Sequence, residues 1–356
     1  MEALLDLPPL DLVLRGKARL VAHRLWSQGS WAFLNPVKGH TAILVELQRE
    51  DPVLLSRGDR ITPKYRFNRK FIVEYPTREE WDAGSRGLSG VSGQVWYTDG
   101  SVTEEGPGAG VSGPRTRLSL PLGGYTTIFQ AEALRFWLVY HILEEGGPRR
   151  RIIILSDSQA AMKALSACKI TSSLVLQCRK ALDCLAARHP VSLIWVPGHA
   201  GIRGNETADT LAKTGSASKL VGPEPALGVT AHKARRKMET WVARQHSQKW
   251  RSITRNLRQA RELIEGPSAK DERFCLSLDR ANLRLLVGLL SGHNTLRRHL
   301  HVMGVAEDPL CERCGVEEET SALVLCRCEA LNYTGVNYFG PSGRQGAWTQ
   351  GNSQLS

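Results

Sequence analysis

Long apolar runs are missing from this chain of 356 residues: none approaches the roughly 18 residues of a membrane-spanning helix, and the amino end carries Glu2 and Asp6 where a secretory signal would be basic. No membrane partner is expected. Cysteine is scarce too. The 8 present are too few for a disulfide scaffold, and Cys311 and Cys314 stand in a C-x-x-C spacing that suits a metal better than a bridge. This usage fits a reducing, intracellular setting, with nucleus and cytoplasm equally open. Internal repeats are absent. With 42% apolar and 23% charged residues, the chain can bury enough surface for two or three domains.

Acidic residues are outnumbered, 35 against 47 Lys and Arg, for a net charge of +12. The excess is local: residues 1–93 hold 14 basic and 11 acidic side chains, 94–218 hold 13 and 10, 219–303 hold 17 and 7, and 304–356 hold 3 and 7. Most of the surplus thus falls on 219–303, a segment that reads as mainly helical. Such a stretch attracts polyanions, nucleic acid first, although a charge run is often only a solvated helix face.

Composition divides the chain into five parts: an N-terminal segment (1–90) with an amphipathic helix near 14–26, an α/β domain (91–217), the basic helical region (218–303), a cysteine-bearing segment (304–331) and a tail (332–356) expected to be disordered. The glycine- and serine-rich stretch 84–90 reads as a linker. After it, 94–111 reads as strand and turn, with Gly106, Pro107 and Gly108 at the turn, followed by a further strand and a helix over 131–143. Arg151-Ile152-Ile153-Ile154-Leu155 is a continuous apolar run of the kind buried on both faces of a sheet, and Ser158 can cap the next helix. A helix over 172–187, a strand over 191–196 and a last helix over 205–215 complete an α/β fold with a mixed sheet of about five strands.

Four acids in this domain stand where strands or helices would deliver them to one sheet edge: Asp99 after a strand, Glu132 opening a helix, Asp157 ending the buried strand, and Asp209 on the last helix. Each alone reads as a cap or a dipole partner. Together, without Lys or Arg partners in the pattern, they repel one another unless cations sit between them, and hard carboxylate ligands select Mg²⁺ or Mn²⁺. His199 follows Trp195-Val196-Pro197-Gly198, in a loop where Gly198, Gly201 and Gly204 give mobility, and would reach the same edge.

With these motifs in order, residues 94–217 resemble the type 1 ribonuclease H domain. The resemblance implies a ribonuclease H-like fold and endonucleolytic hydrolysis of the RNA strand of RNA–DNA hybrids, with two Mg²⁺ or Mn²⁺ ions as cofactors. By it, Asp99 would bridge both ions, Asp209 would complete the one holding the attacking water, and Glu132 with Asp157 would hold the one facing the leaving 3′ oxygen. His199 would match the family's mobile histidine, aiding proton transfer or product release. Integrases and transposases use an Asp-Asp-Glu order, and proofreading-type exonucleases begin with Asp-x-Glu where position 101 is Ser. Both match less well.

The flanks resemble the polyproteins of non-LTR retrotransposons: Ala22-His23-Arg24-Leu25-Trp26 and Arg78-Glu79-Glu80-Trp81 precede the domain, and Leu290-Ser291-Gly292-His293 follows it. This implies other parts of a retroelement replication complex as partners. No reverse-transcriptase Asp-Asp signature occurs in the chain. Ile128 and Phe129 precede the Glu where cellular enzymes use hydrogen-bonding side chains, so RNA 2′-hydroxyls would be met by backbone groups. Cys311, Cys314, Cys326 and Cys328 supply four thiols for a Zn²⁺ site. The retroelement pattern places a histidine near Leu323, so either Cys326 substitutes or the knuckle is degenerate. Cys168, Cys178, Cys184 and Cys275 read as inert buried thiols. The rival to an enzyme is a non-catalytic nucleic-acid-binding relic, and four mutually repelling acids argue against it.

Overall fold

The computed structural model describes residues 2–29, 41–82, 93–143, 149–252 and 258–331. The linker 84–90, the domain start near 91 and the tail 332–356 lie outside the described residues. The chain forms two compact units, one of residues 17–238 and one of 1–16 with the chain from 239 onward.

The elements run α1 (Leu10–Ser27), α2 (Thr41–Glu50), β1 (Arg60–Tyr65), β2 (Ile72–Glu74), α3 (Arg78–Asp82), β3 (Gln94–Thr103), β4 (Gly106–Ser112), β5 (Arg117–Pro121) and α4 (Ile128–Leu143). They continue with β6 (Ile152–Ser156), α5 (Gln159–Ser166), β7 (Lys169–Ser172), α6 (Ser173–Arg188), β8 (Val191–Trp195) and α7 (Arg203–Ala217). The basic region supplies α8 (Ala231–Ser252), α9 (Arg258–Leu263), α10 (Ala269–Ser277), α11 (Arg280–Ser291) and α12 (Arg297–Val302). Helices flank the sheet, and the carboxyl-terminal region is helical, as the sequence pattern implies.

The main sheet has the order β2-β8-β6-β3-β4-β5, with β2, β8, β6 and β3 parallel and β4 and β5 antiparallel. Five of its strands are those expected between 91 and 217. The sixth, β2, comes from the preceding segment and pairs with β8. The apolar run of β6 is buried on both faces: Ile152 and Ile154 join Phe136, Val139, Leu182 and Leu193 in the main core, while Ile153 and Leu155 pack with Ile194 and Val196 on the other side. Each such buried aliphatic side chain contributes about 1.5–3 kcal/mol relative to exposure. This rigid central strand fixes the position of everything that leaves its end.

Gly106, Pro107 and Gly108 are not the turn that the sequence indicates: they open β4, which is buried throughout. The reason is α7. A Cβ on Gly108 would lie 2.1 Å from the backbone N of Ser216, and one on Gly110 2.1 Å from the carbonyl of Ala208. Only bare glycine backbone lets helix and strand approach this closely. Because Gly110 pairs with Asp99 across the β3–β4 ladder, the same contact carries Asp209, next to Ala208, towards Asp99.

A second core of unit 17–238 gathers Ala22, Leu44, Leu47, Ala234 and Met238 from α1, α2 and α8, with Leu54 from the turn after α2 and Val229 from just before α8. In the other unit, Leu4, Cys275, Leu286 and Leu290 form one cluster and Cys311, Leu323 and Cys328 another. Cys178 and Cys275 are buried as expected, with burial pushing the Cys178 thiol up to about 12. Cys168 and Cys184 are exposed instead: Cys168 lies between α5 and β7, and Cys184 on the outward side of α6.

Candidate active site

Parallel pairing of β3 with β6 sets Thr98 opposite Ser156, so Asp99, inside β3 and not after a strand as the sequence suggests, stands level with Asp157 just past the end of β6. Glu132, in the second turn of α4, lies over Gly100, where an added Cβ would stand 3.2 Å from its Cγ. Ser158 joins the two sides, because its hydroxyl caps α5 by accepting from the Ala161 N–H at 3.2 Å and donates its own proton to Glu132 Oε2. On the far flank, Trp195 Nε1 donates to the Asp157 carbonyl at 2.9 Å, and Gly198 is close enough that a Cβ there would lie 3.2 Å from Asp157 Oδ2. The four expected carboxylates therefore occupy one edge.

Two cations that the motifs did not reveal sit among them. Arg135, one turn beyond Glu132 and fully buried, donates from Nη1 to Asp99 Oδ1 and from Nη2 to Ser156 Oγ, both at 3.3 Å. Lys213 reaches Asp209 at 2.7 Å from the next turn of α7. Asp99 Oδ1 also accepts the Gly100 N–H at 2.7 Å. Even so, burial foremost, then the charge of Asp157 and, less, Asp209, push the Asp99 carboxyl up to about 7 against the pull of Arg135.

His199 adopts a left-handed backbone at φ 53° in the glycine-bearing loop and is exposed. Its ring, Glu206 and Asp209 have ligand atoms within 4.8 Å of one another. Glu206 escaped the sequence reading, although its spacing of three from Asp209 on one helix face is a usable signal. Arg135 carried no such signal, since an arginine in an apolar helix reads as a solvated end. Ile128 is partly exposed beside the site, while Phe129 packs on the core.

In the other unit, Cys311, Cys314 and Cys328 have sulfurs within 4.8 Å of one another, and Cys326 is exposed and outside the group. The turn after Cys314 uses Gly315 at φ 63°, and Gly315 N–H donates to the Cys311 carbonyl at 2.8 Å. Backbone N–H groups of Val316 and Glu317 aimed at its sulfur lower the Cys314 thiol, whereas burial raises that of Cys328. Leu323 packs against Cys311 and Cys328.

A mixed α/β sheet with flanking helices thus brings four carboxylates to one edge. Residues 92–217 match the family model described as RNase H, and this stretch is an RNase H domain. Similar proteins include Ribonuclease H of Methylobacillus flagellatus, 58% identical over 36 residues (10% of this chain, 24% of that protein), and Ribonuclease H of Paramagnetospirillum magneticum, 63% identical over 38 residues (11% and 25%). Ribonuclease HI of Neisseria meningitidis serogroup A is 58% identical over 38 residues, 11% of this chain and 26% of its own. The chain thus spans about a quarter of the length of these curated relatives.

Proposed function

We propose that this protein is an endoribonuclease that hydrolyses the RNA strand of RNA–DNA hybrids. The convergence of Asp99, Glu132, Asp157 and Asp209 on one edge of an RNase H domain carries this reading. All four offer hard oxygen donors, a set that fits Mg²⁺ or Mn²⁺ and not a soft ion. Asp99, Glu132, Asp157 and Asp209 would hold such ions, which would supply Lewis-acid polarisation of the phosphate and a water of lowered pKa.

The residues themselves do the positioning. Arg135 and the Gly100 N–H hold Asp99 Oδ1, which leaves Oδ2 to turn towards the other acids. Ser158 fixes the Glu132 carboxylate, and α7 brings Asp209 with Glu206 and His199 to the same edge. His199, on its strained, exposed loop, accepts the proton that the attacking water gives up. The scissile P–O3′ bond breaks as the new P–O bond forms, and the leaving O3′ takes a proton from solvent, so that a 5′-phosphate and a 3′-hydroxyl result. With Ile128 apolar, backbone groups meet the 2′-hydroxyls.

Three further readings accompany this one. The flanking motifs support a retrotransposon origin and partners in a retroelement replication complex. None of the eight cysteines is in a disulfide, which supports an intracellular setting, and no helix among the described residues is long and apolar enough to cross a membrane. The sulfurs of Cys311, Cys314 and Cys328 lie close enough to share one metal ion, and soft thiolate donors favour Zn²⁺ for it.

The test is cleavage of a labelled RNA–DNA hybrid with Mg²⁺ and with chelator, beside single-stranded RNA and duplex DNA. Cutting confined to the hybrid and dependent on Mg²⁺ is expected. Metal-independent cutting, or none by the folded protein, overturns the reading. His199→Ala should slow turnover by about a hundredfold, at the mild end for a proton-transfer group, without abolishing it.

A further inference from the structure

Strand β1 and the stretch after it hold Arg60, Lys64, Arg66, Arg69 and Lys70, five cations with no acid between positions 60 and 70. Averaged over 1–93 this density disappears into a near-neutral segment. β1 lies outside the main sheet and pairs only with β7, in the register Lys64 opposite Ile170 and Tyr65 opposite Lys169. All residues from 62 to 70 are exposed. Among the described residues, no acid forms an ion pair with Arg60, Lys64, Arg66 or Lys70.

Two aromatic side chains stand out of this basic ribbon, Tyr65 at 61% exposure and Phe67 at 77%. Their exposure is not that of a loose end, because the backbone beneath them is anchored. Arg66 N–H donates to the Cys168 carbonyl at 2.8 Å, the buried Arg179 donates to the Asn68 carbonyl at 3.1 Å, and Lys70 N–H donates to Asp183 at 3.1 Å. Arg69 closes the stretch by donating to the Phe71 carbonyl at 2.8 Å. A fixed backbone thus presents apolar rings to water at a standing free-energy cost, which marks a surface for a ligand.

The ligand must be anionic and must offer flat faces. Phosphates spaced along a strand answer the cations, and unpaired bases answer the rings, whereas a duplex keeps its base faces stacked and hidden. We propose that the ribbon from Arg60 to Lys70 is a binding site for single-stranded nucleic acid, with Tyr65 and Phe67 as stacking platforms and the flanking Lys and Arg on the phosphates. A protein partner for the same surface would need a run of acids and would not discriminate single strands from duplex.

The experiment measures binding of the full chain to a labelled single-stranded oligonucleotide and to a blunt duplex, without divalent metal, across a salt series. A chain lacking nuclease activity gives the same answer, so failure here and failure of the ribonuclease reading remain distinct. Replacing Tyr65 and Phe67 by Ser should weaken single-strand binding on the order of tenfold per ring with the salt slope kept. Replacing Lys64 and Arg66 by Gln should weaken it while making the slope shallower by roughly 0.7 per cation removed. Trp at positions 65 and 67 should restore or strengthen binding, which excludes misfolding as the cause. Unchanged single-strand affinity in the Ser variant, or an equal loss for duplex and single strand, overturns the proposal.

Discussion

The carboxylate edge and the thiol cluster are both groups of ligands brought together by the fold, yet they solve the metal-free state in opposite ways. At the edge, the fold sets Arg135 and Lys213 among Asp99, Glu132, Asp157 and Asp209, and burial still pushes the Asp99 carboxyl up to about 7. At the thiols no internal cation is needed, because burial keeps Cys328 protonated and neutral. The hard ligands stand on or beside long strands and helices, whereas the soft ones stand in the turn-rich stretch after α12. Removing metal should silence the first region without unfolding it and loosen the second without silencing the first.

The largest effect expected is at the edge. Asp99→Asn, nearly isosteric but a poor ligand, should lower hybrid cleavage by roughly a thousandfold or more, since metal catalysis supplies several kcal/mol of transition-state stabilisation. Circular dichroism should show the fold unchanged. Cleavage at the original rate would break the assignment of the edge.

Next comes the internal cation. Arg135→Met keeps the length and removes the charge, leaving Asp99 without its buried partner, and should cost about 3 kcal/mol in metal-free denaturant unfolding. Because a divalent ion can replace the lost charge, Mg²⁺ should stabilise this variant more than the parent, and calorimetry should show tighter Mn²⁺ binding. Equal stabilisation of the two by Mg²⁺ would mean that Arg135 is a packing element only.

Leu323→His tests the thiol side, for Leu323 packs where a fourth ligand would stand. A nitrogen there should tighten Zn²⁺ by roughly tenfold or more in chelator competition, closing an open three-ligand set. The smallest effect on chemistry should come from Cys311→Ser, which should lose zinc from the purified protein yet cleave hybrid in Mg²⁺ nearly as before. Loss of cleavage with the zinc would erase the contrast between hard and soft regions.

Much of this was legible in the sequence where local pattern and tertiary need agree. The apolar run 152–155 read as a strand buried on both faces and is one, Ser158 read as a cap and is one, and the order of the four acids located the edge. Reading failed where a residue's meaning depends on what packs against it. Gly106, Pro107 and Gly108 look like a turn, but the approach of α7 makes glycine the strand's requirement.

The sequence by itself determined the composition of the site, since carboxylates at strand ends and thiols in C-x-x-C order are set by residue type and spacing, and these follow local periodicity. Tertiary structure alone decided the rest. It turned Arg135 inward to Asp99 because α4 lies over β3 and β4, it chose Cys328 over Cys326, and it recruited β2 from outside the domain as a sixth strand. It also paired β1 with β7 and so held a basic, aromatic ribbon in the open. Such facts turn on which faces meet across long stretches of chain, and burial and charge compensation act on those meetings, not on the order of letters.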